Sequence, residues 1–359
     1  MRVALTTGGG DAPGLNAVIR ASVLAGLNRG WEMLGIQRGY GGLIGADEVV
    51  PLTRASVRGI TNRGGTILGT TNRGNPFCWP VTRPDGVLEE CDRSDELVAA
   101  IRARGIDALI AIGGDGSLAI ALGLFEKGVL VVGVPKTIDN DVGGTIRSFG
   151  FDTAVGIATE ALDRLHSTAE AHDRVFVVEV MGRHAGWIAL HAGIAGSADV
   201  ILIPEIPFSV ERVCEKIAER ERMGRRFSLV VAAEGAAPVD GRQSFLEARQ
   251  TGRERRLGGL AGRLAHAIGE QTGKETRDVV LGHLQRGGSP TTHDRELALR
   301  FGAAAVRAVA DSDFGTMVAW RPPDIVRIPL AEALHEAHRV PVDGDTVATA
   351  RELGISLGD

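Results

Sequence analysis

Short, continuously apolar runs alternate with helical patterns along this chain, and that alternation limits its fold more than any other feature. Strands are expected at Val3–Thr6, Ala108–Ile112, Val129–Val134, Val175–Val180, Val200–Ile203, Leu229–Ala232 and Val279–Leu281. Runs apolar at successive positions bury both faces, as strands of a parallel sheet do. Helical spacing fills Asn16–Leu27, Ser117–Glu126, Ala185–Ala195, Val210–Arg222, Gly259–Ile268 and Asp294–Val309. This order predicts an α/β fold of two doubly wound lobes with mainly parallel sheets. A chain of 359 residues is too long for one small core. Ligands of such sheets sit beyond the carboxyl ends of the strands, and the motifs below all fall at or near strand ends.

Several function classes are excluded early. A net charge of −5 gives no reason to expect nucleic acid or an anionic membrane as partner. No run approaches 18 uninterrupted apolar residues, so no membrane span is expected. The N-terminal run Val3–Thr7 is too short for a signal peptide, and Cys78, Cys91 and Cys214 suit free thiols. A cytoplasmic protein is expected. The polar, basic stretch 242–256 reads as a surface loop, and 341–359 as a loop with a closing helix.

Glycine is abundant, at 49 residues, and clusters where apolar runs end. Thr6-Thr7-Gly8-Gly9-Gly10-Asp11-Ala12-Pro13-Gly14 stands between a strand and a helix, where backbone N–H groups can cradle an anion. It does not match GxGxxG, and the acidic residue about 20 positions on, Glu32, would start the second strand instead of ending it. A nicotinamide site is therefore disfavoured. Ala111-Ile112-Gly113-Gly114-Asp115-Gly116-Ser117 forms a second strand-to-helix loop. Two such loops in one lobe suggest a polyphosphate held from two sides. Asp115 suits Mg²⁺, which favours carboxylate and phosphate oxygens, or else it caps the helix.

Pro135-Lys136-Thr137-Ile138-Asp139-Asn140-Asp141 follows the strand ending at Val134. Two carboxylates at i and i+2 beside a lysine and a threonine suit phosphoryl transfer, which needs a base for the attacking hydroxyl and cations on the moving group. Asp139 fits the base, and Asp141 a substrate or metal contact. Basic residues recur at other strand ends: Arg174, Arg183 with His184, Arg277, His283 and Arg286. Arginine forks suit phosphate. Each alone reads better as a surface ion pair or a hydrogen-bonded histidine, and it is their repeated placement at strand ends in a glycine-rich setting that points to phosphate.

These blocks resemble the phosphofructokinase family: GGGDAPGLNAVIR (8–20), NRGGTILGT (62–70), IGGDGS (112–117), PKTIDND (135–141), VVEVMGRHAGWIA (177–189) and ETRDVVLGHLQRGGSP (275–290), in family order. The resemblance implies a 6-phosphofructokinase that carries a phosphoryl group from MgATP to the 1-hydroxyl of fructose 6-phosphate. Gly10, Arg73, Asp115, Gly116, Ser117 and Lys136 would line the donor site, with Asp115 serving Mg²⁺. Asp139 would be the base, with Thr137 and Asp141 beside it. Arg73 and Arg183 would stabilise the moving phosphoryl group. Met181, Gly182 and Glu234 would hold the sugar. Arg174, Arg277, His283 and Arg286 would bind mainly its 6-phosphate. In the family Arg174 and Arg277 come from a neighbouring subunit, so a homotetramer, or a dimer, is implied.

Two departures qualify the match. Gly116 resembles ATP-dependent members, because an aspartate there would crowd and repel the α-phosphate, whereas Lys136 resembles the pyrophosphate-dependent pattern. ATP is favoured and pyrophosphate is the alternative. A non-catalytic sugar-phosphate sensor is the remote one, since Asp115, Thr137, Asp139 and Arg183 are all present. Leu24 and Met223 replace basic residues of the family's effector site, while Arg54 and Arg225 remain, so weak or altered effector control is expected. The donor lobe is expected at 1–149 plus 285–335 and the sugar-phosphate lobe at 150–284 plus 336–359, with the site in the cleft between them.

Overall fold

The computed structural model describes residues 1–45, 48–83, 85, 86, 88–239, 241, 243 and 257–359. The loop expected at 242–256 lies, apart from Gln243, outside the described residues. In chain order the elements begin β1 (Arg2–Thr7), α1 (Leu15–Leu27), β2 (Glu32–Ile36), α2 (Gly41–Ile44), β3 (Val49–Pro51), β4 (Trp79–Thr82), β5 (Leu88–Cys91), α3 (Ser94–Ala103), β6 (Ala108–Gly113), α4 (Asp115–Glu126) and β7 (Val131–Pro135). Then come α5 (Phe151–Ala171), β8 (Val175–Val180), α6 (Trp187–Ala195), β9 (Val200–Leu202), α7 (Val210–Arg222), β10 (Ser228–Ala233), α8 (Leu260–Thr272) and β11 (Thr276–Val280). The chain ends with α9 (Thr292–Ala310), β12 (Thr316–Arg321), β13 (Asp324–Pro329), α10 (Leu330–His335) and α11 (Asp345–Glu352).

The described residues form two compact units. The first gathers Met1–Asp152 and Arg286–His338. Its sheet has the order β13-β12-β7-β6-β1-β2-β3, parallel at the centre, with antiparallel β3 and β13 at the edges. Alternate side chains feed two cores. Val3, Leu5, Ile110, Ile112 and Val134 join α1 and α9 on one face, and Ala4, Leu109, Ala111 and Val131 join α3, α4 and α10 on the other. Burial on both faces explains why these strands are apolar at every position. From β1 the chain winds one way to β2 and, later, the other way to β6 and β7. The crevice of a doubly wound sheet opens at such a reversal, so the loops after β1 and β6 flank it.

The second unit gathers the described residues of 153–285 with Arg339–Asp359. Its sheet, in the order β11-β8-β10-β9, is parallel throughout. One face buries Val175, Val177, Val200, Leu202, Val230 and Ala232 against α7 and α8. Ser209 caps α7 by accepting the Arg212 N–H at 3.3 Å. Among the described residues β11 pairs only with β8 and is an edge strand.

The α/β architecture and all the expected strands and helices are present, with ends shifted by a few residues. Several elements were not anticipated, among them β3, α2, α3, α10 and the β4–β5 and β12–β13 hairpins. Helix α5 was missed as well: it carries Gly156 and several β-branched residues, which weaken local propensity, yet it buries Phe151, Ala154, Ala158, Leu162 and Ala169 along one stripe.

Candidate active site

In the first unit the two glycine loops lie against each other. Gly8 N–H donates to Ile112 O at 3.0 Å, carrying the β1–β6 pairing into the loops. A β-carbon on Gly113 would stand 2.2 Å from Ser117 Cβ, and one on Gly8 2.6 Å from Ser117 Oγ, so only glycine lets the loops meet. Gly9 N–H donates to Thr71 O at 3.1 Å, which brings the exposed Arg73 loop alongside. Asp115 opens α4 and is exposed. Its Oδ1 accepts the Gly116 N–H at 2.7 Å, so it does serve the helix start, though from the first helical position and not the cap. At Gly116 the backbone faces open space: no heavy atom lies within 4 Å of where a β-carbon would be.

The strand end after β7 alternates. Lys136, Ile138 and Asn140 are buried, while Thr137, Asp139 and Asp141 are only partly so. Thr137 Oγ1 accepts the Asp139 N–H at 3.1 Å. Lys136 Nζ donates to Gly10 O. Burial, then the Arg286 charge, pushes this ammonium down to about 8, against the pull of Asp11, Asp139 and Asp141. Arg286 donates to Asp11 O at 3.1 Å, and its Nη1 lies 2.8 Å from the place of a Gly10 β-carbon. Two cations thus clamp successive carbonyls of the first glycine loop, at Gly10 and Asp11. Sequence reasoning assigned both cations to ligands, and this loop-holding use was invisible to it.

Asp141 is a strongly perturbed carboxyl. Burial, then the charges of Asp139 and Asp115, raise it to about 7, against a hydrogen bond from Thr137. Among the described residues no three His, Cys, Asp or Glu side chains converge to cage a metal. The charges of Asp115 and Asp139 reach Asp141, and such carboxylates fit Mg²⁺, which takes one or two of them and completes its shell with water and phosphate oxygens. A stability prediction follows. Between pH 4 and 7 Asp141 holds more proton in the folded than in the unfolded chain, so its contribution to unliganded stability falls as pH rises through that range and levels off above it. Asp141→Asn removes that cost, on the order of 4 kcal/mol. At roughly 2–4 °C per kcal/mol, the unliganded variant should melt about 8–16 °C above wild type at pH 8, with the gap closing towards pH 4–5. Equal melting curves at both pH values would show that Asp141 is not under this strain.

In the second unit Met181, Gly182, Arg183 and Glu234 gather at the carboxyl ends of β8 and β10. Glu234 N–H donates to Val180 O at 2.8 Å, and Gly235 N–H to Gly182 O at 3.1 Å. A β-carbon on Gly235 would stand 2.1 Å from Arg183 O, so the Arg183 loop rests directly on the Glu234 turn. Gln243 Nε2 donates to Arg183 O at 3.2 Å and to Gly235 O at 3.1 Å. Glu205 accepts the Gly186 N–H at 3.1 Å and the Val340 N–H at 2.9 Å. Glu205 and Gln243 thus tie down the arginine loop, and neither carried a sequence signal. His283 is exposed just past β11.

Arg174 and Arg277 lie elsewhere. Arg174 precedes β8 and Arg277 is the second residue of β11, so both stand at the amino ends of the strands. Seven residues of strand, at about 3.3 Å each, put Arg174 roughly 20 Å from Met181. Both arginines pair with Glu275, at 2.9 Å and 2.5 Å. One carboxylate thereby holds two guanidinium groups side by side. Of the effector-site positions, Leu24 packs partly buried on the core, Met223 is 62% exposed, and Arg54 donates to Asn28 Oδ1 at 2.5 Å.

The phosphofructokinase family profile matches residues 2–309. The chain belongs to the phosphofructokinase family. It is 54% identical to a protein of Chloroflexus aurantiacus named ATP-dependent 6-phosphofructokinase, over all of this chain and 98% of that relative. It is also 54% identical to a pyrophosphate–fructose 6-phosphate 1-phosphotransferase of Amycolatopsis methanolica, over 95% of this chain and 96% of the relative. Among solved structures, phosphofructokinase of Saccharomyces cerevisiae aligns over the whole chain with a TM-score of 0.77 and 32% identity. This chain spans 48% of the yeast one. Membership accounts for the recognisable blocks that make up the two glycine loops, the Thr137–Asp141 strand end and the Arg183 loop. Among the described residues no helix is long and apolar enough to cross a membrane.

Proposed function

We propose that this phosphofructokinase is the ATP-dependent glycolytic enzyme, transferring the terminal phosphoryl group of MgATP to the 1-hydroxyl of D-fructose 6-phosphate to give fructose 1,6-bisphosphate. The observation that carries the choice of donor is the open space beside Gly116, where a nucleotide's α-phosphate can pass without meeting a side chain. The buried ammonium of Lys136, committed to Gly10 O, supports the same choice, because its charge is spent on the loop. Relatives named ATP-dependent 6-phosphofructokinase support it as well.

Asp139 accepts the 1-hydroxyl proton as that oxygen bonds to the terminal phosphorus, and the bridging P–O bond breaks to release ADP. Gly10, Arg73, Asp115, Gly116, Ser117 and Lys136 serve the donor, and Thr137 and Asp141 flank the base. Asp115 holds magnesium, which when bound neutralises polyphosphate oxygens. Arg73 and Arg183 stabilise the charge of the moving group. Met181, Gly182 and Glu234 hold the sugar, and Arg174, Arg277, His283 and Arg286 its 6-phosphate. The roughly 20 Å along β8 supports supply of Arg174 and Arg277 by a neighbouring subunit, in a homotetramer or a dimer. Edge strand β11, with Val280 and Leu284 exposed nearby, supports a subunit contact there. The site is proposed to work in the cytoplasm.

The second reading is pyrophosphate as donor, supported by the Amycolatopsis methanolica relative. Assays of the purified protein with fructose 6-phosphate, Mg²⁺ and either ATP or pyrophosphate separate the two. A kcat/KM for ATP at least tenfold above that for pyrophosphate is expected. The reverse order transfers the assignment to pyrophosphate. Binding of fructose 6-phosphate without turnover on either donor would identify a sensor instead.

A further inference from the structure

We propose that His338 is a positioning residue for the Asp139–Asp141 loop, an inference that rests on the phosphoryl-transfer reading above. His338 closes the first unit just beyond α10. Its backbone N–H donates to Asp141 O at 2.9 Å, and its Nδ1 lies 2.8 Å from Asn140 O. The same Nδ1 lies 3.5 Å from Asn140 Nδ2, and the shorter contact, to the carbonyl, is a hydrogen bond in which Nδ1–H donates. One residue thus holds two successive carbonyls immediately after Asp139.

The backbone turns here. Asn140 has φ of +55°, in the left-handed region that asparagine adopts more readily than other non-glycine residues through local side-chain hydrogen bonds. Its side chain is committed to the following segment, accepting the Ser148 N–H at 2.9 Å and donating to Ile146 O at 3.2 Å. A cavity of about 380 Å³ adjoins His338 and is lined by Gly144, Thr145, Ile146, Arg321, Pro322 and His338. Asn140 itself is buried, and His338 supplies one hydrogen bond to each carbonyl of the Asn140–Asp141 pair. Losing the imidazole leaves the buried Asn140 carbonyl without that partner and frees the peptide after Asp139 to shift. A reacting group displaced by about 1 Å can lose on the order of 10²-fold in rate.

The test is a set of three variants of the full-length protein, with turnover and melting temperature measured for each. His338→Ala is expected to lower kcat about 10- to 100-fold, with KM for both substrates changed less than about threefold. His338→Asn places an amide N–H near the former Nδ1 and is expected to recover most of the rate. His338→Gln reaches to the position of Nε2 and is expected to stay slow. Unchanged kcat in His338→Ala, or equal losses in all three variants, overturns the positioning role while leaving phosphoryl transfer intact. If His338→Ala fails to fold, the contrast between the Asn and Gln variants decides in the same way. A wild-type enzyme inactive with both donors overturns the phosphoryl-transfer reading and this inference together.

Discussion

Asp139→Asn is expected to lower kcat by about 10² to 10⁴, the worth of a positioned general base. The substitution keeps the size and planarity of the side chain and removes its ability to accept a proton. The loop should therefore survive: the Asp139 N–H on Thr137 Oγ1, the buried Ile138 and Asn140, and the His338 contacts involve backbone or neighbouring side chains. KM for fructose 6-phosphate should change little, because a base acts mainly in the transition state. Melting temperature should not fall, since the variant also lifts one charge from Asp141. Steady-state kinetics with a melting curve check this. A variant as fast as wild type would remove Asp139 from the role of base.

The second large effect is expected at Arg277. Arg277→Ala deletes a charged contact to a spectator phosphate, worth about 1.5–3 kcal/mol, and should raise KM for fructose 6-phosphate about 10- to 150-fold with kcat nearly unchanged. Glu275 holds Arg277 beside Arg174, so the phosphate meets two forks already aligned. If the neighbouring subunit supplies Arg277, a mixed assembly has a distinctive property. In a pair made of one Asp139→Asn and one Arg277→Ala subunit, one of the two shared sites has both wild-type residues. After subunit exchange in an equal mixture, roughly one site in four should be intact. Assays at low fructose 6-phosphate should then show far more activity than either variant alone. A mixture no better than the mean of its parts would place Arg277 in its own subunit's site.

Much of this architecture was legible from residues alone, for local reasons. A glycine-rich turn after a fully apolar run announces both strand and loop, so β1, β6 and β7 and their site loops could be read directly. Carboxylates at alternate positions, 139 and 141, are partly exposed between buried Ile138, Asn140 and Val142, and the burial pattern follows that alternation although the backbone bends there. What could not be read depends on partners distant in the chain. Arg286 meets Asp11 across 275 positions, Glu205 meets Val340 across 135, and His338 meets Asn140 across 198. No local spacing encodes such pairs. Arg174 and Arg277 show the opposite case. Their chemistry was plain from sequence, but only the parallel pairing of β8 with β11 puts them together at the amino end of the sheet, on one glutamate.

The most direct measurement is a crystal structure of the full-length enzyme with fructose 6-phosphate and a magnesium complex of a non-hydrolysable ATP analogue. A carboxylate oxygen of Asp139 should lie about 2.6–3.2 Å from the sugar's 1-hydroxyl, with that hydroxyl in line with the terminal phosphorus. A sugar bound with its 1-hydroxyl out of reach of Asp139, and facing some other acid or base, would contradict the proposed chemistry.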